Sequence, residues 1–564
     1  MTPAADLVLR NGNVITIDKR SSVAQAIAIA GDRIVAVGPD AAMAAHTAPT
    51  TRVIDLQGRS VIPGMIDGHA HMDREALRTV FPSLGRVRSN GDIRERIAEL
   101  ARSRKPGEWI VTMPIGDPPF YVGVPEMLAE RRWPTRHDLD AAAPDNPVYI
   151  RSIWGFWRGT MPLVSCANTE ALRRAGITRD TVPPVATLTI EKDGRGDPTG
   201  VFIEREYAPI AELHWFRDAA RFTHADRLRA LTESARLYHG FGTTGIYEGH
   251  GVASELLRVY REIHAAGALT MRATLAISPD WKSVGGAPAT RLLDAWRGWI
   301  APAANDERLK LGGLFCAEGR SAADNVRGSA APYTGWAGFN SDAGLPPEQL
   351  RDVLLQCARS DIRVATIGGG GGLGMLDHFE AVDRQVPLKG RRWVVAHVNI
   401  VTPRDIERIA RMGLVLTTHT NAYLNKALDA SAEALPPGQH EHIVPMNALR
   451  EAGITVSLAT DNVPISLWHS VSQTVTRRAP GSRRVIGAGQ ALSRMEALRC
   501  ATLNGAYLTF DEDRTGSLEA GKWADLAVLS ADPLTVEEDA LAATTSVMTM
   551  IGGRIVHRTP DWPG

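Results

Sequence analysis

The sequence has few cysteines and no closely spaced pair of them. Only Cys166, Cys316, Cys357 and Cys500 occur in 564 residues, and no two stand in a Cys-X-X-Cys motif. This spacing fits neither a disulfide-rich secreted scaffold nor a zinc site built from thiolates. A protein of a reducing compartment is therefore the simpler expectation.

The sequence also lacks long apolar runs and an excess of either charge. No stretch approaches the ~20 apolar residues of a membrane-spanning helix, and the opening MTPAADLVLRNGNVITID lacks the basic and apolar regions of a secretory signal. Lys plus Arg and Asp plus Glu are 63 each, so no net positive field attracts nucleic acid or an anionic membrane. We expect a cytoplasmic protein with neither of these partners.

The ends of the chain share a β-rich texture that the centre does not. Residues 1–60 contain short β-type runs separated by Asn-Gly and Gly-Asp turns, and residues 515–564 contain the similar runs GSLEAGKWADLAVLS and SVMTMIGGRIVHR. Isolated strands need partners, so the two ends are predicted to form one discontinuous β-sandwich domain. Residues 61–514 would then be a central domain, with 77–235 as an inserted subdomain because ~160 residues exceed any ordinary loop.

The centre alternates β-branched apolar runs with amphipathic helical stretches, which is typical of parallel α/β folds. Most of the runs end in a polar residue. An open doubly wound sheet is the alternative, but eight runs favour an eight-stranded (β/α)8 TIM-like barrel, whose catalytic loops follow the carboxyl ends of the strands. The predicted strands lie near residues 61–71, 241–250, 271–278, 309–319, 362–370, 392–398, 413–420 and 455–462.

Two histidines end the first of these runs. His69 and His71 flank Ala70, and residues i and i+2 of a strand share a face, so both imidazoles are predicted to point to one side. An isolated His-X-His pair is weak by itself, and a second one, His440 and His442, lies in a polar loop where we expect it to be solvated. The position at a strand end makes His69 and His71 candidate metal ligands.

A third imidazole and a carboxylate end two later runs. His397 closes RWVVAH and Asp461 closes TVSLATD. Together with the first pair they supply the N and O donors that zinc uses, and metal-bound water loses its proton near pH 7. Asp461 is the candidate to accept that proton. His397 is either a ligand or a hydrogen-bond donor to the reacting oxygen.

Several segments together resemble the metal-dependent amidohydrolase superfamily, and its amidohydrolase family 3 branch in particular. They are VLRNGNVITID, PGMIDGHAH, AHVNIVTPRDIERIARMGLVL, LATDNVP and GSLEAGKWADLAVL. The resemblance implies a distorted (β/α)8 barrel with a terminal β-sandwich, hydrolysis of C–N bonds, and one or two divalent metals. It matches His69 and His71 to first-strand ligands, His397 to the sixth-strand histidine and Asp461 to the eighth-strand acid/base.

The chain departs from the family pattern at two strands. GGLFCAEG places Leu314 or a neighbour where a metal-bridging lysine often stands, and VATIGGGGGLG has no fifth-strand histidine. One divalent ion, most simply Zn²⁺, is therefore favoured over two. The candidates to replace the missing ligands or to contact substrate are Glu248, His250, Cys316, Glu318 and His419.

The expected substrate is a small hydrophobic or aromatic molecule. Thirteen tryptophans occur, and Trp154 and Trp157 in the insert are candidate substrate contacts. We expect a metal-dependent hydrolase that cleaves an amide-like C–N bond with activated water. Two alternatives stay open: the same barrel and metal used for deamination, ester, lactone or C–C hydrolysis or decarboxylation, or a barrel that binds a ligand without catalysis. A homo-oligomer is also left open.

Overall fold

The computed structural model describes residues 4–155, 161–281, 288–296, 306–319, 321–340, 344–368, 374–418, 420–560 and 562. The chain divides into two compact units. The first contains residues 1–75, 231–319 and 343–564, and the second contains residues 76–230 and 320–342. Within the described part of the chain, no helix combines the length and the apolar character needed to cross a membrane.

Eight parallel strands form the centre of the first unit, each hydrogen-bonded to the next along the chain. Seven of the eight fall within the predicted runs and the second extends two residues beyond its run, so the predicted barrel is confirmed. We number them β1 to β8: Met65–Asp67, Thr243–Val252, Arg272–Ile277, Leu309–Phe315, Val364–Ile367, Val394–Ala396, Val415–Thr418 and Val456–Leu458.

The barrel closes where β8 meets β1. The Gly68 amide donates to the carbonyl of Leu458 at 2.9 Å, and the Asp461 amide donates to the carbonyl of His69 at 3.0 Å. The Asp67 carboxylate adds a third link, because the amide of Thr460 donates to it at 3.0 Å. These bonds fix the loops that leave the two strands against each other.

Closure requires glycine at position 68. A Cβ there would lie 2.6 Å from Ser457 Oγ and 2.9 Å from the Leu458 carbonyl oxygen, well inside contact distance. Gly68→Ala is therefore expected to lower the free energy of unfolding by about 1–3 kcal/mol through overpacking. Urea denaturation checks this, with Gly438→Ala as control because a Cβ at that glycine meets nothing within 4 Å. Equal stability of the two variants would contradict the argument.

Helices follow the barrel strands and cover their outer faces with apolar residues. Helix Pro403–Met412 after β6 shows the local rules clearly: Thr402 and Asp405 form a capping box, Pro403 opens the helix, and Gly413 ends it at φ 63°. Helix Arg74–Leu77 lies where the chain first leaves the first unit. The other described helices of the first unit, in chain order, are Ser254–Ala265, Thr290–Trp296, Pro347–Arg359, Met375–Asp383, Pro403–Met412, Leu428–Ala434, Met446–Glu451, Leu467–Thr476, Arg494–Ala501, Leu503–Leu508 and Glu538–Leu541. Shorter 3₁₀ and π turns are Asp40–His46, Asn421–Lys426, Pro437–His442 and Ala488–Gln490.

The first unit has two further sheets: one combines strands from both ends of the chain, and the other contains only strands from residues 7–55. One has the order Arg554–Arg558, Ser546–Ile551, Leu526–Leu529, Ser60–Pro63, Asn13–Ile15 and Val23–Ala24, and the other has the order Arg33–Gly38, Ala26–Ala30, Leu7–Arg10 and Arg52–Asp55. Apolar residues of both sheets, among them Leu9, Ile27, Val61, Leu526 and Met548, share one buried cluster. In sequence, a single residue, Gly64, separates Ser60–Pro63 from β1.

The second unit has its own sheet and its own core. Five strands lie in the order Leu188–Lys192, Pro198–Glu204, Leu163–Ala167, Val148–Ile150 and Ile110–Thr112. Its helices are Asn90–Arg102, Arg136–Ala142, Thr169–Arg174 and Ala322–Ser329, with a π turn at Glu212–Phe216. In the sequence, the chain passes from the second unit back to the first within helix His224–His239.

Candidate functional site

Imidazole and carboxylate side chains from four strand ends meet at the carboxyl ends of the barrel strands. His69 and His71 follow β1, His250 lies near the end of β2, His397 follows β6, and Asp461 follows β8. His69 and His71 lie just beyond β1 rather than within it, and both are buried. The structure thus brings together all four of the predicted main site residues and two of the predicted substitutes, His250 and Glu248.

Two groups of three ligand-type residues can be distinguished in this cluster, and His69 belongs to both. His69, His71 and Asp461 form one, and His69, His250 and His397 form the other, with the ligand atoms of each group within 4.8 Å of one another. The closest contacts are His69 Nε2 to His397 Nε2 at 3.2 Å and His71 Nε2 to Asp461 Oδ1 at 3.3 Å. His69 is therefore the centre of the cluster.

His250 is held beside His69 by an aromatic contact. Its ring stacks on Phe315 at the end of β4, with ring centroids 4.4 Å apart and planes 25° apart. Its centroid lies 6.1 Å from that of His69 and 6.2 Å from that of His397. It also lies 5.9 Å from the ring centroid of His71. The sequence left His250 open as ligand or substrate contact, and its ring lies at nearly equal distances from all three of these histidines.

Glu248 lies behind His71. Its Oε1 accepts hydrogen bonds from the Met72 amide at 2.9 Å and the Tyr260 hydroxyl at 2.8 Å, and its Oε2 lies 3.4 Å from His71 Nδ1. The opposite ring nitrogen of His71 faces Asp461. A carboxylate on one nitrogen of a histidine fixes the ring orientation and makes the other nitrogen more basic, so Glu248 is placed to orient His71.

Replacing Glu248 with glutamine tests this orienting role. The amide oxygen still accepts from Met72 and Tyr260, but the negative charge beside His71 is lost. The variant is expected to bind Zn²⁺ about 10–100-fold more weakly, in the range measured for partners of metal-bound histidines. Titration against a competing chelator measures it. Glu318→Gln serves as control, and equal affinity of Glu248→Gln and wild type would contradict the assignment.

Asp67, which sequence reasoning missed, supports the loop that carries His69. Its carboxylate accepts from the amides of His69 at 3.1 Å and Thr460 at 3.0 Å and from the Thr460 hydroxyl. Burial raises the pKa of Asp67 to about 6, although these hydrogen bonds act in the opposite direction. An aspartate two residues before the first histidine was the only signal in the sequence.

Two of the predicted site residues have left-handed backbone conformations. His397 has φ 61°, Asp461 has φ 49° and the following Asn462 has φ 55°. Few non-glycine residues adopt such angles, and those that do cluster at functional sites. His397 directly follows β6, and Asp461 lies three residues after the end of β8, so both conformations occur in the loops that leave the barrel strands.

The protein environment shifts the pKa values of the histidines in different directions. Burial, together with the neighbouring His397 and His71, holds the pKa of His69 well below 6.5, and burial also holds that of His250 well below this value. For His71 burial and Arg74 act to lower the pKa, but hydrogen bonds with Asp461 and Glu248 outweigh them and raise it. His69 and His250 are thus neutral at pH 7, the form in which imidazole binds metals.

Lys426, also missed by sequence reasoning, ends the π turn Asn421–Lys426 after β7. Burial lowers the pKa of its ammonium group to about 8, while the charge of Asp461 acts to raise it. π-Helical turns are frequent at functional sites. The sequence signal was a lone lysine eight residues beyond the seventh strand.

The fourth-strand candidates lie outside the cluster. Cys316 is buried in an apolar core, and burial raises its pKa to about 12. Glu318 has its Oε2 2.9 Å from His378 Nε2. Neither residue belongs to the two groups of ligand-type side chains found among the described residues.

The remaining candidates are in the second unit or outside the described residues. Trp154 is buried in the second unit, with its ring centroid 6.4 Å from that of Phe339 and the Arg327 guanidinium 5.2 Å above it. Trp157, His419 and four of the five glycines of the run at 368–372 lie outside the described residues.

Comparison with known proteins identifies the class to which this fold and site belong. The model of the amidohydrolase family matches residues 52–557, and the chain belongs to that family. The resemblance seen in the sequence is thereby confirmed, and with it the class of hydrolase acting on non-peptide C–N bonds.

Curated relatives match almost the whole chain. An N-substituted formamide deformylase of Arthrobacter pascens is 27% identical over 98% of both chains. A putative amidohydrolase of Bacillus subtilis is 22% identical over 91% of this chain and 92% of its own.

Solved structures show the same fold at lower sequence identity. An uncharacterized metal-dependent hydrolase from Pyrococcus furiosus is 20% identical, with a TM-score of 0.66 over 94% of this chain and 100% of its own. An atrazine chlorohydrolase from Arthrobacter aurescens, solved with zinc, is 18% identical, with a TM-score of 0.52 over 98% of this chain and 95% of its own.

Proposed function

We propose that this protein is a metal-dependent hydrolase that cleaves an amide-like C–N bond in a small hydrophobic or aromatic molecule. The observation that carries the proposal is the cluster of imidazoles and a carboxylate around His69, at the end of the barrel where enzymes of this architecture carry out their chemistry. Family membership supplies the reaction class.

The donor atoms fit a divalent ion. Two ligands of a tetrahedral ion with bonds of about 2.1 Å lie about 3.4 Å apart, and His71 Nε2 and Asp461 Oδ1 are 3.3 Å apart. With His69 they form a set of two imidazoles and one carboxylate. Three protein ligands leave a position open for substrate or water, as in catalytic zinc sites.

We infer one ion rather than two. Leu314, on β4 near the place of the bridging lysine, is buried in an apolar core. On β5 the described residues Val364–Ile367 contain no histidine. A second ion would therefore lack ligands from both strands. The second group of ligand-type residues also uses His69, which offers one ligand atom, so the two groups cannot both hold an ion at once.

When bound, a divalent ion would polarise the scissile carbonyl and acidify water at neutral pH. Asp461 is placed to accept the proton of the attacking water and to pass it to the leaving nitrogen, as a general base and then a general acid. Glu248 holds His71 so that its Nε2 faces the same point as the Asp461 carboxylate. His397, 3.2 Å from His69, is placed to donate a hydrogen bond to the carbonyl oxygen.

A formamide with an aromatic or alkyl group on nitrogen is the first substrate class to test. The similarity to the N-substituted formamide deformylase extends over 98% of both chains. We expect the enzyme to hydrolyse formanilide, and acetanilide more slowly because of its larger acyl group. Dialysis against a chelator should abolish turnover, and Zn²⁺ or Mn²⁺ should restore it.

The same assay separates the alternatives. Turnover of phenyl acetate without turnover of either anilide would overturn the C–N assignment and favour ester chemistry in the same barrel. No turnover of any of the three, together with no metal bound after soaking, would overturn catalysis and favour a ligand-binding barrel. Metal retained by His250→Ala but lost by His71→Ala would support the proposed ligand set, and the reverse pattern would overturn it.

A further inference from the structure

A cavity of the first unit lies at the opposite end of the barrel strands from the histidine cluster. It has a volume of about 450 Å³ and opens at the amino ends of β4, β5 and β6. Small-molecule sites in proteins typically measure about 300–1,000 Å³. Its lining includes Lys310, Gly313, Arg363, Arg391, Phe510 and Arg514.

Arg363 is the buried cation of this cavity. Only 7% of the residue is exposed. Its Nε donates to the Arg392 carbonyl and its Nη1 to the Leu508 carbonyl, both at 2.7 Å. Its Nη2 is buried and has no hydrogen-bond partner among the residues that the structure describes. A guanidinium has five N–H donors, and a buried donor left unused is costly, so a partner is missing here.

The charge of Arg363 is offset by aromatic rings alone, with its guanidinium carbon 5.2 Å from the ring centroid of Tyr247 and 5.0 Å from that of Phe510. No carboxylate in the described ranges lies within 4.0 Å of its guanidinium, and the nearby Arg392 is paired with Glu512 instead. Burial lowers the pKa of Arg363, and Arg392 adds to this effect. The other lining charges are mostly neutralised: Lys310 by Asp511, Arg391 by Asp361, and Asp306 by His264.

Two charged groups at the surface complete the lining. Arg514 and Asp513 are both exposed. Within the part of the chain that the structure describes, neither is in an ion pair. Because the charges of Asp513 and Arg514 cancel, the buried guanidinium of Arg363 gives the cavity a net positive charge that attracts an anion.

Phe510 gives the cavity an aromatic wall. It follows helix Leu503–Leu508 at φ 59°, the position where helices commonly place glycine, and it is 50% exposed. Its ring centroid lies 5.0 Å from the Arg363 guanidinium carbon and 4.4 Å from that of Arg392. Glycine would end the helix at this position with less backbone strain, so the exposed ring of Phe510 is expected to have a function of its own.

We propose that this cavity binds a small organic anion with a flat apolar part. The carboxylate or phosphate group of the ligand is attracted by the buried charge of Arg363 and pairs with the exposed guanidinium of Arg514, and the flat part packs against Phe510. Charge-assisted bonds to arginine and aromatic stacking are the two interactions that the lining offers and that no described residue of the chain fully uses. The site is separate from the histidine cluster and does not depend on the proposed reaction.

Calorimetric titration of the full-length protein with four probes tests this site. Benzoate and phenyl phosphate carry both features, inorganic phosphate lacks the ring, and benzyl alcohol lacks the charge. We expect benzoate or phenyl phosphate to bind saturably and the last two to bind at least about tenfold more weakly. The stronger of the first two shows whether the natural ligand carries a carboxylate or a phosphate.

Variants assign the binding to this cavity. Arg363→Gln and Phe510→Ala should each weaken binding about tenfold or more, whereas exposed Arg236→Gln and the cluster variant His69→Ala should leave it unchanged. Because Arg363 also holds two carbonyls, Phe510→Ala keeps the test decisive if Arg363→Gln fails to fold. No saturable binding at millimolar concentrations, or binding lost in His69→Ala but kept in Phe510→Ala, would overturn the proposal.

Discussion

Replacing His69 with alanine is expected to reduce bound divalent metal from about one equivalent per chain to less than about a tenth of that, since catalytic ions rest on only three protein ligands. His69 belongs to both groups of ligand-type residues, so no alternative set in the cluster survives its loss. Elemental analysis of protein purified without chelator measures the metal, and turnover of formanilide should fall with it.

The chain supplies a matched control for this experiment. His440 and His442 repeat the His-X-His spacing in the 3₁₀ turn Pro437–His442, outside the cluster. His442→Ala should keep the wild-type metal content. Retention of about one equivalent by His69→Ala would show that the ion binds elsewhere, and the proposed centre would have to be abandoned.

Replacing Asp461 with asparagine is expected to lower kcat by about 10²–10⁴-fold, the usual contribution of a general acid or base. Asparagine tolerates the left-handed backbone that Asp461 adopts at φ 49°, so the loop after β8 should keep its course. The side-chain volume is unchanged, and only the proton-accepting carboxylate is lost. Steady-state kinetics at saturating Zn²⁺ measure kcat apart from any loss of metal affinity.

Asp180→Asn, which changes an exposed aspartate, should keep the wild-type kcat. If Asp461→Asn were as active as wild type when fully loaded with metal, Asp461 would not be the proton carrier. The carboxylate of Glu248 would then be the nearest alternative, because it contacts the same histidine.

The barrel could be predicted because each of its strands corresponds to a separate apolar run of the sequence that ends in a polar residue. β6, Val394–Ala396, is a buried run closed by His397, and β8, Val456–Leu458, is followed within three residues by Asp461. Parallel strands buried on both faces produce such runs, and the carboxyl ends of the strands meet at one edge of the barrel. Convergence of His69, His397 and Asp461 follows from that rule alone.

The supporting groups could not be predicted, because their roles depend on side-chain direction rather than on order along the chain. Glu248 and His250 are two residues apart near the end of β2, yet one orients His71 and the other stacks on Phe315. From sequence spacing alone, both residues were equally good candidates to replace a missing ligand or to contact substrate. Asp67 and Lys426 act through burial and through partners that only the folded chain brings near.

The closure between β1 and β8 has a consequence for how the chain acquires its site. The bond from the Thr460 amide to Asp67 joins residues 393 positions apart. Contacts of such sequence separation form late in folding, because the entropy of closing the loop must be overcome before they contribute. During synthesis on the ribosome, His69 therefore emerges long before Asp461 has been made. A ligand that needs both residues binds only to chains that have been fully synthesised and whose barrel has closed.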